Sequence, residues 1–181
     1  PRLAKELVYM GGSFAPQAPA DAGPFALEYA NTPRLEFNFR FDPEAASMVL
    51  HQPWRRIVQV PVDPTTRTAL SKSMVAQLGQ PRTPLAGYLA RYAQPGLPMW
   101  DELAVAVWLD PGLVLRRQRL LVDVDTDHGA GYGNTLSWLP GQGPGLGEQP
   151  AEVVFQADVP RFERLFLDLL RRPAPAHAAA P

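Results

Sequence analysis

The chain has 181 residues, 46% of them hydrophobic, which is enough for one domain with its own core. A net charge of −1 argues against nucleic acid as the main partner, and no apolar run approaches the length of a membrane span. The absence of cysteine excludes disulfides and thiolate metal sites; the compartment stays open between cytoplasmic and secreted or periplasmic, with no signal peptide visible. Opening on Pro1, the chain reads as trimmed or cut from something longer.

Leu3–Met10 is expected to start helical and end as the short apolar strand Leu7-Val8-Tyr9-Met10. Gly11-Gly12-Ser13 then permits a tight turn or a close backbone approach to a ligand. Phe14–Pro33 is a long loop rich in Pro, Ala and Gly, and Asn31-Thr32-Pro33 at its end has the chemistry of a turn.

Glu36-Phe37-Asn38-Phe39-Arg40-Phe41 alternates polar and aromatic residues without error. That period predicts a strand with Glu36, Asn38 and Arg40 on one face and three phenylalanines on the other. Asp42-Pro43 reads as an N-cap followed by proline in the first turn of a helix over Glu44–Leu50. Arg56–Val62 is an apolar strand, Asp63-Pro64 repeats the cap-plus-proline pattern, and Thr65–Leu78 is helical. Asp63 is expected to cap a helix rather than to catalyse.

Thr83–Ala93 is a helix in which Tyr88 and Tyr92 share a face, a spacing usual for core. Asp101 is placed to cap the next helix, with Ala104, Val105 and Trp108 as its buried stripe. Arg119–Asp125 is a strand, followed by a polar Gly-rich loop holding His128 beside Asp125 and Asp127, a weak metal site and more simply a solvated turn. Asn134–Trp138 and Ala151–Ala157 are strands, and Asp158–Arg171 is an amphipathic helix. Strands alternating with helices predict an α/β fold, a layered, mostly parallel sheet with flanking helices. Residues 1–172 form this domain, and the Pro/Ala-rich tail 173–181 is expected to be disordered.

Four features in order, Met10-Gly11-Gly12, Glu36-Phe37-Asn38, Trp100-Asp101 and the closing strand-helix pair, resemble the C-terminal half of the inosine-uridine preferring nucleoside hydrolases. The resemblance implies hydrolysis of the N-glycosidic bond of ribonucleosides. It implies that Met10 packs on the ribose, Glu36 and Asn38 grip its hydroxyls, and Asn31 stands where the family has a sugar-binding asparagine. It further implies that Asp101 ligates a catalytic Ca²⁺ and contacts the sugar, that Trp100 stacks on the base as in purine-preferring members, and that Tyr88 lies near the base. The implied partner is a small-molecule ribonucleoside, with homo-oligomers as in the family. The family's aspartate-rich loop, which brings most Ca²⁺ ligands and the water-activating base, has no match here. The fold is therefore expected to be incomplete, and a catalytically inactive, ribose-binding remnant is the rival reading.

Overall fold

The computed structural model describes residues 3–15, 34–79 and 83–173. Asn31 and the tail from 174 onward lie outside the described residues.

Five strands form one mixed sheet: β1 (Leu7–Met10), β2 (Ile57–Val60), β3 (Val114–Val124), β4 (Thr135–Trp138) and β5 (Pro150–Ala157). Their spatial order is β1-β2-β5-β3-β4. β1, β2 and β5 pair in parallel, and β3 runs antiparallel to both β5 and β4. Four strands thus share one direction and β3 alone opposes it, which agrees with the expected α/β layering. Val58, Val60 and Val154 turn to one face, where they pack with Met74, Leu103 and Phe162. Ile57, Val122 and Val153 turn to the other, packing with Phe39 and Leu50. The strand period of 2 thereby serves two cores at once, as a sheet covered on both faces requires.

The first face carries α3 (Val62–Thr65), α4 (Lys72–Leu78), α5 (Pro84–Tyr92), α6 (Trp100–Leu109) and α7 (Val159–Arg171). The second carries α1 (Phe37–Phe41) and α2 (Pro43–Leu50). Asp42 caps α2 as expected, its Oδ1 accepting from the Ala45 amide at 2.9 Å. Asp158 does the same for α7 through the Arg161 amide at 3.0 Å.

Several expectations are corrected. Glu36–Phe41 is not a strand: Glu36 is the N-cap of the short helix α1, accepting from the amides of Asn38 and Phe39. The capping bonds of a local carboxylate override the alternation. Of the three phenylalanines only Phe39 is buried, while Phe37 and Phe41 meet each other in the open, four residues apart. Leu3–Glu6 forms turn and bend rather than helix. The helix expected over Thr65–Leu78 is split, because the Thr66 and Thr68 hydroxyls bond the Asp63 and Thr65 carbonyls and Ser71 starts a new helix with its own cap. Pro61, not Asp63, is the N-cap of α3. Met99, not Asp101, is the N-cap of α6, and no side chain caps that helix. Its buried residues are Leu103, Ala104, Ala106 and Val107, while Val105 and Trp108 are more than half exposed. Tyr88 and Tyr92 do meet, their rings tilted at 45° with centroids 4.7 Å apart, but on the exposed face of α5 rather than in the core.

Candidate active site

In open α/β sheets, ligands gather at the carboxyl ends of the parallel strands. At the end of β1 stands Met10, and the chain then turns through Gly11-Gly12. Gly12 has φ +77°, and a Cβ there would run into the Gln59 side chain and the Phe39 ring. Only glycine satisfies both constraints.

This turn is where Glu36 is anchored. Its Oε2 accepts from the Gly12 amide at 2.9 Å and the Phe39 amide at 3.1 Å, and its Oε1 from the Asn38 amide at 2.9 Å. Glu36 is 4% exposed. Burial pushes its carboxyl above the usual value; the three amide bonds pull it back, and the negative charge of Asp101 adds a further upward push. Asn38 reaches across to β1, its Nδ2 donating to the Met10 carbonyl at 3.2 Å and lying 3.3 Å from the Met10 sulfur. Met10, Gly12, Glu36 and Asn38 therefore form one connected corner, with Asp101 close enough to act on Glu36 electrostatically.

A groove of about 440 Å³ opens beside this corner, walled by Val8, Met10, Asp101, Ala104, Val105 and Trp108. Its wall on α6 has the spacing i, i+3, i+4, i+7 from Asp101. That stripe was legible in the sequence as the helix's apolar face; Ala104 is buried in the core as expected, while Val105 and Trp108 stand open on the groove. Trp108 at the far end donates from Nε1 to Glu6 at 3.2 Å. Trp100 is partly buried at the first position of α6, and the groove wall is formed by Trp108 rather than by it. Tyr88 sits on α5, which packs against α4 and α7, and it does not line this groove. A second groove of about 290 Å³ lies on the other face, bordered by Met10, Asn38 and Asp42.

Three buried polar residues hold this turn; Gln59 and Thr135 were not singled out from sequence, and Asp63 was expected only as a helix cap. Gln59 is wholly buried and its Nε2 donates to the Gly11 carbonyl at 2.9 Å. Thr135 accepts from the Ser13 amide at 2.8 Å. Asp63 accepts from the Phe14 and Ala15 amides at 3.0 and 2.8 Å. The available signal was a glutamine inside an otherwise apolar strand. Buried polar side chains are costly unless bonded, so their concentration around one turn marks a place where geometry is being specified.

The donor set does not by itself make a Ca²⁺ site. Calcium takes six to eight oxygens, and among the described residues no group of three or more His, Asp or Glu side chains converges. Asp101 stands alone in this role, and the Glu36 carboxylate is already committed to three amides. His128 is exposed, stacked on Tyr132 at 4.8 Å and 4.0 Å from Glu44, which fits the solvated-turn reading.

Fold and corner together define an α/β-layer protein with a capped, buried carboxylate at the carboxyl end of a parallel strand. The family model for inosine-uridine preferring nucleoside hydrolases matches residues 1–164, and the chain belongs to that family. A curated relative, the putative pyrimidine-specific ribonucleoside hydrolase RihB of Shigella boydii serotype 4, is 26% identical over 144 residues, covering 73% of this chain and 54% of the relative. The purine-preferring ribonucleoside hydrolase from Gardnerella vaginalis superposes with a TM-score of 0.72 at 23% identity, over 92% of this chain and 52% of that one. The inosine-uridine preferring nucleoside hydrolase from Bacillus anthracis gives 0.65 at 24%, over 92% and 51%. The chain thus spans about half the length of the relatives it matches.

Proposed function

We propose that this chain carries the sugar- and base-facing half of a site that hydrolyses the N-glycosidic bond of ribonucleosides, releasing ribose and free base. The observation that carries the reading is the corner in which Glu36, held by three amides, fixes Asn38 against Met10 with Asp101 in electrostatic range. Cleavage of a riboside passes through an oxocarbenium-like state. Carboxylate and carboxamide oxygens that accept from ribose hydroxyls orient the ring, and nearby negative charge favours the developing cation. Glu36 and Asn38 bind the hydroxyls, Met10 packs on the sugar, and Asp101 would supply a single carboxylate to a Ca²⁺ ion, too few oxygens to hold it unaided. Asn31 would add a sugar contact. Trp100 supports a purine-leaning base site, with Tyr88 as a more distant base contact. The named relatives divide on this point, one pyrimidine-specific and one purine-preferring.

A second reading is a ribose- or nucleoside-binding remnant without catalysis, and the sparse ligand set of the described residues favours it. Release of ribose from inosine, adenosine and uridine by the purified chain, with and without Ca²⁺, separates the two. Calcium-dependent release, fastest from the purines, is the expected result for the enzyme. Folded protein that binds inosine but releases no ribose would establish the remnant, and faster turnover of uridine would overturn the purine preference.

A further inference from the structure

Five consecutive amides after β1 each find a different acceptor atom: the first continues the parallel ladder to β2, and the next four leave it for side-chain acceptors. Gly11 donates to the Val60 carbonyl at 3.3 Å and Gly12 to Glu36 Oε2 at 2.9 Å. Ser13 donates to Thr135 Oγ1 at 2.8 Å, Phe14 to Asp63 Oδ2 at 3.0 Å and Ala15 to Asp63 Oδ1 at 2.8 Å. The carbonyls on this stretch are held too, Gly11 by Gln59 and Gly12 by the Val62 amide at 3.0 Å. Asp63 is 8% exposed, and it sits on α3 directly after the Val62 amide that grips Gly12.

We infer that Asp63 is a positioning residue for the sugar-binding corner: its two carboxylate oxygens clamp successive amides of the segment and thereby hold the Gly12 N–H against Glu36. The inference rests on the reading of that corner given above. Its physical basis is that an irregular segment has no cooperative ladder to hold it, so its placement depends on individual acceptors. A carboxylate taking two N–H donors makes charge-assisted bonds, stronger than neutral ones. With Asp63 removed, the Phe14 and Ala15 amides lose these acceptors, and the constraint that the pair of bonds puts on the backbone leading back to Gly12 is released. Asp63 need not touch substrate; it acts through Gly12 and Glu36.

The test is amide hydrogen exchange, resolved by residue, on the full chain and on Asp63→Asn. In the unaltered protein, Gly12, Phe14 and Ala15 are expected to open together, with protection agreeing within a few-fold. In Asp63→Asn all three should exchange about tenfold faster, the loss corresponding to one charge-assisted bond. Amides of α7 should stay as before. A variant that frees Phe14 and Ala15 but leaves Gly12 at its original rate makes Asp63 a local loop anchor and overturns the inference. Unequal protection of Gly12 and Phe14 in the unaltered protein, by more than about tenfold, overturns it without any variant, so a misfolded Asp63→Asn does not shelter it. Inosine titration on both proteins separates the two readings. The variant should bind about tenfold more weakly, whereas an unaltered protein that binds no inosine would refute the nucleoside reading and leave the exchange result to judge Asp63.

Discussion

At the scale of single residues, the site is a problem of placing a carboxylate where water is scarce. Glu36 is buried, and burial beside the negative charge of Asp101 raises its carboxyl above its ordinary value of 4.5 in spite of three amide donors. A carboxyl raised by folding contributes stability that is complete below its unfolded value and is lost as pH rises through the folded one. The stability of the native chain relative to Glu36→Gln should therefore fall as pH rises above the ordinary carboxyl range, as read by urea unfolding at each pH. A relative stability that climbs with pH would show that the amide donors outweigh burial. Gly12 is the second such residue. With φ at +77° and the Gln59 amide in the way of a Cβ, Gly12→Ala should cost roughly 1–3 kcal/mol in urea unfolding, from backbone strain alone. A change within about 0.5 kcal/mol, the range of ordinary surface substitutions, would mean the turn has room to relax.

At the scale of elements, α1 is the instructive case. Its sequence alternates like a strand, yet Glu36 and Asp42 bracket it with capping carboxylates, and the five residues between close a helical turn. In a strand the three phenylalanines would share one buried face. In the helix Phe39 alone points inward, beneath Gly11 and Gly12 and against Tyr9 at 6.2 Å. Phe39→Ala should then lower stability by about 3–5 kcal/mol, the range for deleting a buried aromatic, whereas Phe37→Ser should fall within about 0.5 kcal/mol. Equal losses at both positions would restore the strand. The same element carries function, because the cap that starts α1 is also the bond that holds Asn38 beside Met10.

At the scale of the whole molecule, β1 is an edge strand of the described sheet, flanked by a groove on each face. The amides of Leu7 and Gly11 point to β2, so in a parallel ladder those of Val8 and Met10 point outward. An edge of this kind is a template for another strand. Proline at an outward-facing edge position removes only an unused donor. Val8→Pro should consequently stay folded by circular dichroism while reducing self-association of the purified chain in sedimentation. Unchanged association would exonerate the β1 edge. The ion-pair network of Glu6, Arg56, Glu152 and Arg117 runs across β1, β2, β5 and β3 on the side away from Met10. It ties the strands together without entering the corner that holds Glu36.

The sequence by itself determined the α/β class, the five strands of the sheet, the closing helix, the cap at Asp42, and the identity of Met10, Glu36, Asn38 and Asp101 as candidates. Those features follow from local period, capping chemistry and short motifs, all of which act within a few residues. Tertiary structure decided that Glu36 caps a helix instead of facing outward from a strand. It also decided that the Asp101–Trp108 stripe lines a groove, and that Gln59, Asp63 and Thr135 hold the turn after β1. The cap bonds of Glu36 are local, two and three residues along, but its anchor on Gly12 and the bonds of Gln59, Asp63 and Thr135 reach partners 24 to 122 residues away in the chain. A period in the sequence tells which side chains share a face. What that face meets is set by segments distant in sequence, and there the free energy of burial and of satisfied amides makes the choice.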